Sequence, residues 1–140
     1  MLKYDKLIIY TDGGSRGNPG PSAVGVVMKD KTGKNVKTYS EYLGDNMTNN
    51  QAEYSGVILA MTKAKLMGAK GSELEFYLDS ELVVNQLSQK FKIKDVKLGS
   101  LFVKIWNMTT DFKKVTYQHV PREKNTEADA LVNEALDSHR

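Results

Sequence analysis

The feature that most constrains this chain is a change of hydrophobic period at Thr48. Upstream lie three β-branched and aromatic runs, "KLIIYT" (6–11), "SAVGVVMK" (22–29) and "VKTYSEYL" (36–43). A glycine-rich loop and the turn signal "KDKTGKN" separate them, so they read as a meander of antiparallel strands. Downstream, Thr48 and Gln51 form a capping box. Ala52, Val57, Ile58, Leu59, Met61, Ala64 and Leu66 then recur at helical spacing up to Gly68, a C-terminal cap. "ELEFYL" (73–78) is a strand, and Ser80 caps a helix to about Gln89. "FKIKDVK" is a basic connector, "SLFVKIWNM" (100–108) a helix, "KKVTYQHV" (113–120) a fifth strand, and a last helix starts near Thr126. Three strands followed by alternating helices and strands predict an α/β domain with a five-stranded mixed sheet. Its helical crossovers return strands parallel to the first. With no repeat or low-complexity tract, residues 1–140 read as one domain.

Composition narrows the function classes. No cysteine means no disulfide and no thiolate metal site, and two histidines are a poor basis for a zinc centre. No apolar run approaches the roughly 20 residues of a membrane span. The opening "MLKYDKLIIY" is interrupted by Asp5 and Lys6, unlike a signal peptide, so a cytoplasmic protein is expected. A formal charge of +3 permits a polyanionic partner without demanding one.

Four carboxylates stand out. Asp12 and Asp79 each end an apolar strand at its C-terminal edge, where open α/β sheets bind ligands. If those strands are parallel neighbours, the two acids lie side by side; either alone also suits turn initiation. Glu53 shares the small, apolar stripe of its helix with Gly56, Val57, Ala60 and Ala64, and Asp129 shares one with Val132 and Leu136. Either helix acid alone is also explained by a first-turn carboxylate favouring the macrodipole. Together they form an all-oxygen donor set suited to magnesium, with manganese second. Such a site serves phosphodiester hydrolysis.

The loop "GGSRGNPG" matches neither GxGxxG nor a phosphate loop, and a strand rather than a helix follows it. It reads as a hairpin loop whose glycines supply positive φ and close backbone approach. Turn geometry alone would explain it. Alternatively, the amides of Gly13, Gly14 and Ser15, beside Asp12, read a sugar edge.

The stretches "YTDGGSRGNPGPSAVGVV", "TNNQAEYSGVILAM", "YLDSELVVNQL" and "HVPREKNTEADALVNEAL" resemble type 1 ribonuclease H, in that family's order and over nearly the whole chain. The resemblance implies a ribonuclease H-like fold with strand order 3-2-1-4-5. It also implies two-metal hydrolysis of the RNA strand of RNA/DNA hybrids, leaving 5′-phosphate and 3′-hydroxyl ends. Asp12, Glu53, Asp79 and Asp129 match the family's carboxylate tetrad, which holds two Mg2+ ions that Mn2+ can replace. Gly13, Gly14, Ser15, Asn18, Asn49 and Asn50 would line the minor groove and read RNA 2′-hydroxyls. Thr48 matches a family residue that holds a DNA-strand phosphate, and Ser80 joins the substrate-contacting set. A monomer acting on nucleic acid, away from any membrane, is expected.

The chain departs from the family pattern in three places. The loop "VPREKNTEAD" is short and has no mobile histidine. His119 reads as a strand residue, and Arg122 becomes the candidate assisting cation, against a merely solvated loop arginine. The basic handle region is missing; Lys90, Lys92, Lys94 and Lys97 around Phe91 remain, either as a phosphate-tracking patch or as a solvated connector. Asn46 and Asp95 stand where some relatives carry arginine and asparagine, which favours relaxed selectivity toward double-stranded RNA. A non-cutting hybrid-binding relative and a strand-transfer nuclease of the same superfamily are the competing classes. Setting aside the four acids raises the formal charge from +3 to +7, which suits a polyanion once cations fill the pocket.

Overall fold

The computed structural model describes residues 4–139. Residues 1–3, at the start of the stretch read as unlike a signal peptide, lie outside the described residues. The first three strands are β1 (Lys6–Ser15), β2 (Gly20–Asp30) and β3 (Asn35–Met47), followed by α1 (Asn49–Leu66) and β4 (Glu73–Leu78). Then come α2 (Glu81–Leu87), α3 (Val96–Thr109), β5 (Lys114–His119), a 3-10 turn at Arg122–Lys124, and α4 (Thr126–Asp137). The sheet order is β3-β2-β1-β4-β5, with β1–β2 and β2–β3 antiparallel and β1–β4 and β4–β5 parallel. No helix among the described residues is long and apolar enough to cross a membrane.

The capping box forms as the sequence implies: Gln51 N–H donates to Thr48 Oγ1, and the Gln51 side chain accepts from Thr48 N–H. Gly68 follows the helix with φ +88°, the left-handed backbone that glycine adopts without strain. Burial alternates along β4 and the first half of β1, as a period of two requires, whereas β2 is buried on both faces from Ser22 to Met28. Leu7, Ile9, Val26, Met28, Phe76 and Leu78 pack with Tyr54, Val57 and Met61 of α1 and with Leu98 and Ile105 of α3. A smaller cluster of Ala23, Val132, Ala135 and Leu136, with Tyr42 against it, seats α4.

Two differences from the sequence expectation matter for the site. The first strand does not stop at Asp12 but continues to Ser15, because Gly13 and Gly14 pair with Val24 and Ala23 of β2. These two glycines therefore serve the ladder rather than the turn. In the loop that follows, Gly17 has the positive φ (+87°), whereas no other glycine of the stretch does. The second difference is at α3, which begins at Val96 rather than near Ser100, since Asp95 Oδ1 accepts from Leu98 N–H at 2.9 Å. The last two residues of the basic connector are thus helical.

Close backbone approach decides where the helices sit. A Cβ on Gly13 would lie 2.4 Å from the carbonyl of Ala52 in α1, and one on Gly25 would lie 2.2 Å from the carbonyl oxygen of Ala128 in α4. Neither neighbour is a movable side-chain tip. Gly25→Ala should therefore cost about 2–3 kcal/mol through overpacking. Gly99→Ala, in α3 with nothing within 4 Å of the new methyl, should stabilise by about 0.5–1 kcal/mol. Urea midpoints moving in opposite directions for the two variants would check this; equal shifts would refute it.

Candidate active site

The β1–β4 ladder ends at the pair Tyr10↔Tyr77, so Asp12 and Asp79 emerge just beyond the last paired residues of two parallel neighbours. Glu53 reaches the same point from α1. It is the fifth residue of that helix, past the first turn, so a favourable helix dipole does not explain it. Gly13 lets α1 approach, and its N–H donates both to Asp12 Oδ1 at 2.9 Å and to Glu53 Oε1 at 2.7 Å. Asp12, Glu53 and Asp79 each present a carboxylate oxygen within 4.8 Å of the others.

The electrostatics of this cluster are unfavourable as it stands. Asp12 is 8% exposed and Glu53 5%. Burial first, then the charges of Asp79 and Asp129, push the Asp12 carboxyl from 3.8 up to about 7 despite a hydrogen bond with Glu53. Burial likewise raises Glu53 well above the ordinary carboxyl value, with Asp12 adding to the effect. Glu53 Oε2 is buried and has no hydrogen-bond partner among the described residues. A buried acceptor left open beside two further carboxylates, with neither histidine nor sulfur, suits a hard divalent cation.

Asp129 stands in the first turn of α4, half-buried, and its charge acts on Asp12. It lies outside the group of three carboxylates within 4.8 Å. Arg122, on the 3-10 turn and 82% exposed, places Nη2 3.8 Å from Asp129 Oδ1. The four acids and Arg122 line one cavity of about 480 Å³, together with Gly13, Gly14, Ser15, Asn49, Asn50 and Ser80. Two expected residues, Asn18 and Thr48, do not line it. Asn18 Oδ1 accepts from Asn49 N–H at 3.0 Å, and Asn49 Oδ1 accepts from Ser15 N–H at 2.8 Å, which pins the β1–β2 loop to the start of α1. Thr48 caps α1, and Ser80 Oγ accepts from Val83 N–H to cap α2. His119 ends β5 opposite Leu78 and is exposed, a strand residue as its position in the sequence suggested. Lys90, Lys92, Lys94 and Lys97 are exposed outside the cavity.

Sequence reasoning missed Asn125. It is 1% exposed. Its Nδ2 donates to the Thr11 carbonyl at 2.9 Å and to Asp79 Oδ2 at 3.3 Å, and its own carbonyl accepts from Asp129 N–H at 3.1 Å. One side chain thus ties β1, Asp79 and the start of α4 together. An asparagine four residues before an acid looks like an ordinary N-cap, yet its side chain makes no capping bond. Only the fold shows its reach.

Comparison with known proteins agrees with this geometry. The family model described as "Reverse transcriptase-like" matches residues 10–135. The chain is 42% identical to the ribonuclease HI of Halobacterium salinarum, over 91% of this chain and 63% of that protein. The chain belongs to the ribonuclease H family. It is also 40% identical to the bifunctional protein Rv2228c of Mycobacterium tuberculosis over 95% of this chain, and spans only 36% of that relative's length. A crystal structure of LC11-RNase H1 in complex with an RNA/DNA hybrid is 42% identical, with a TM-score of 0.90. The match covers 95% of this chain and 98% of that one. The expected ribonuclease H fold and strand order are both present in this member.

Two expectations follow from the site. The raised folded-state value of Asp12 means that the folded protein binds its proton more tightly than the unfolded chain. The resulting stability is full below the ordinary value of 3.8 and is lost as pH rises through about 7. Metal-free protein should therefore lose on the order of 2 kcal/mol at this group between about pH 5 and pH 8. Asp12→Asn should remove most of that slope in chelator-treated urea melts, and an unchanged slope would refute the coupling. Asn125→Ala should leave Asp79 untethered and weaken Mn2+ binding about 10- to 100-fold in a calorimetric titration.

Proposed function

We propose that this ribonuclease H family member is a metal-dependent endoribonuclease that hydrolyses the RNA strand of RNA/DNA hybrids, leaving 5′-phosphate and 3′-hydroxyl ends. The observation that carries this reading is the partly buried acidic triad of Asp12, Glu53 and Asp79, with its open Glu53 acceptor, facing one cavity with the Gly13–Ser15 strand and the Asn49–Asn50 turn. A pure binding protein has no use for carboxylates whose mutual repulsion raises their proton affinity while they face a polyanion. The ribonuclease HI relative and the hybrid-bound neighbour support the same activity and substrate. Residues 1–140 act in this reading as one ribonuclease H domain.

The carboxylate donor set fits Mg2+, with Mn2+ as a substitute. Asp12 would hold both of two ions, Glu53 and Asp79 completing the site for one and Asp129 the site for the other. Bound there, the ions would supply an activated water and charge stabilisation at the scissile phosphate. The chain's own groups bind and orient. The Gly14 peptide, the Ser15 hydroxyl as an acceptor and the side-chain amides of Asn49 and Asn50 offer donors and acceptors to the 2′-hydroxyls that mark an RNA strand, while the Ser15 N–H is held by Asn49 Oδ1. Asn18 and Thr48 act from behind, fixing the loop and the helix that carry those groups, and Thr48 remains the residue proposed to meet a DNA-strand phosphate. Ser80 stands beside Asp79 on the wall. Arg122, exposed at the cavity rim, would hold a substrate phosphate near Asp129.

Cleavage of end-labelled RNA/DNA, RNA/RNA and DNA/DNA duplexes, each with Mg2+, Mn2+ or chelator, tests the reading. Metal-dependent cutting of the RNA strand in the hybrid is the expected result, with turnover reduced at least 10³-fold in Asp12→Asn and hybrid binding in chelator retained or tightened. Comparable cutting of RNA/RNA would assign the relaxed selectivity. Normal turnover by Asp12→Asn, or no cutting of any RNA strand, would overturn the proposal.

A further inference from the structure

The carboxylate chemistry leaves one cation of the cavity without a role. Among the described residues lining it, Arg16 and Arg122 are the basic ones, and both are paired with acids of α4. Arg122 faces Asp129 loosely. Arg16 Nη2 lies 2.8 Å from Asp137 Oδ1 and donates to Asn133 Oδ1 at 3.4 Å. The backbone beneath Arg16 is held firmly. Its own N–H donates to the Pro21 carbonyl at 2.8 Å, and the neighbouring Ser15 and Asn18 are bonded to Asn49. Its side chain, by contrast, is 43% exposed in a pair with an acid side chain 51% exposed.

We propose that Arg16 is a phosphate-binding residue of the substrate site, parked on Asp137 and Asn133 in the free protein and transferred to a backbone phosphate of the bound duplex. The inference rests on the ribonuclease reading above and names a substrate contact within it. An exposed ion pair is weak, so exchanging its acid for another anion costs little. A phosphate offers the fork of a guanidinium the same two-oxygen geometry as a carboxylate, with more charge behind it. Geometry supplies the register. Asp129 and Asp137 are eight positions apart on α4, about 12 Å of helical rise. The two arginines therefore stand at separate points of the cavity wall and address different phosphates. Arg16 sits four residues after Asp12 on a continuous strand and loop, so its reach is measured from the carboxylate cluster itself.

The alternative is that the Arg16–Asp137 pair merely staples the loop to α4, and the two predict different measurements. Affinity of a labelled RNA/DNA hybrid in chelator is titrated across salt concentration for wild type, Arg16→Gln, Arg16→Lys, Asp137→Asn and the Arg16→Gln/Asp137→Asn pair, alongside thermal melts of each. Phosphate transfer predicts that Arg16→Gln binds about three- to tenfold more weakly and that the slope of log affinity against log salt falls by about 0.9. Arg16→Lys should keep the slope while losing part of the affinity. Asp137→Asn should tighten binding by up to about fivefold, with most of that gain absent when Arg16 is already glutamine. An unchanged slope for Arg16→Gln with a lowered melting temperature would overturn the assignment in favour of the staple. Wild-type protein that neither binds nor cuts the hybrid would overturn the ribonuclease reading and this inference with it. Wild-type binding with an unmoved Arg16→Gln slope would overturn only the role of Arg16.

Discussion

Two carboxylates, Asp12 and Glu53, share one backbone N–H in a nearly dry crevice, and the rest of the site is arranged around that arrangement. Gly13 makes it possible, because any larger residue would drive β1 and α1 apart by collision with the Ala52 carbonyl. The repulsion it creates is a local cost that the surrounding core must carry. It does so with Tyr54, Val57 and Met61 on the same helix, all fully buried against β1 and β4. Anchoring the helix this way keeps Glu53 pointed at its neighbours when an isolated acid would turn to water. The price is instability in metal-free protein at alkaline pH, and what relieves it is positive charge.

The same economy of backbone governs α4. Gly25 admits the helix onto β2, Asn125 ties its start to β1 and to Asp79, and Tyr42 stacks on His139 just past its end. Asp129 is consequently carried on an element fastened at both ends, although the acid itself is only half-buried. Asp12, Glu53 and Asp79 sit where strands and a packed helix fix them; Asp129 and the two cavity arginines sit on the side that solvent reaches. The cavity therefore has a rigid acidic floor and a more exposed wall where charges can exchange partners.

Much of this was legible in the residues. The change of period at Thr48, the capping box and the apolar strands led to a five-stranded mixed sheet, and the resemblance to type 1 ribonuclease H supplied its strand order. Glu53 betrayed itself as an acid on a stripe of small apolar residues. What escaped the sequence was decided by contacts between distant segments. The extension of β1 to Ser15 depends on pairing with Val24 and Ala23, which local glycine signals read as a turn. Asn125 has a sequence context indistinguishable from an ordinary cap, and its bonds to Thr11 and Asp79 span 114 and 46 positions. Arg16 carries no signal of its own in the sequence, and only the fold brings Asp137 of α4 beside it. The early start of α3 was hidden because Val96 and Lys97 are both exposed and add nothing to an apolar period.

Asp95 shows how such a contact changes a functional argument. Read in sequence, an acid in the lysine-rich segment near a phosphate-binding position weakens the case for gripping a duplex. In the fold its carboxylate accepts from Leu98 N–H and starts α3, a helix that buries Leu98 and Ile105 in the main core. A residue engaged with a helix's exposed amides has much of its negative charge offset locally by the positive end of that helix. Its presence is thus accounted for by the stability of α3, without any appeal to altered selectivity. Lys90, Lys92, Lys94 and Lys97 then stand as exposed charge beside an acid engaged in capping α3, outside the carboxylate cavity. A segment of that kind can lengthen the electrostatic reach of the protein toward a polyanion, while the choice of scissile bond stays with the groups around Asp12.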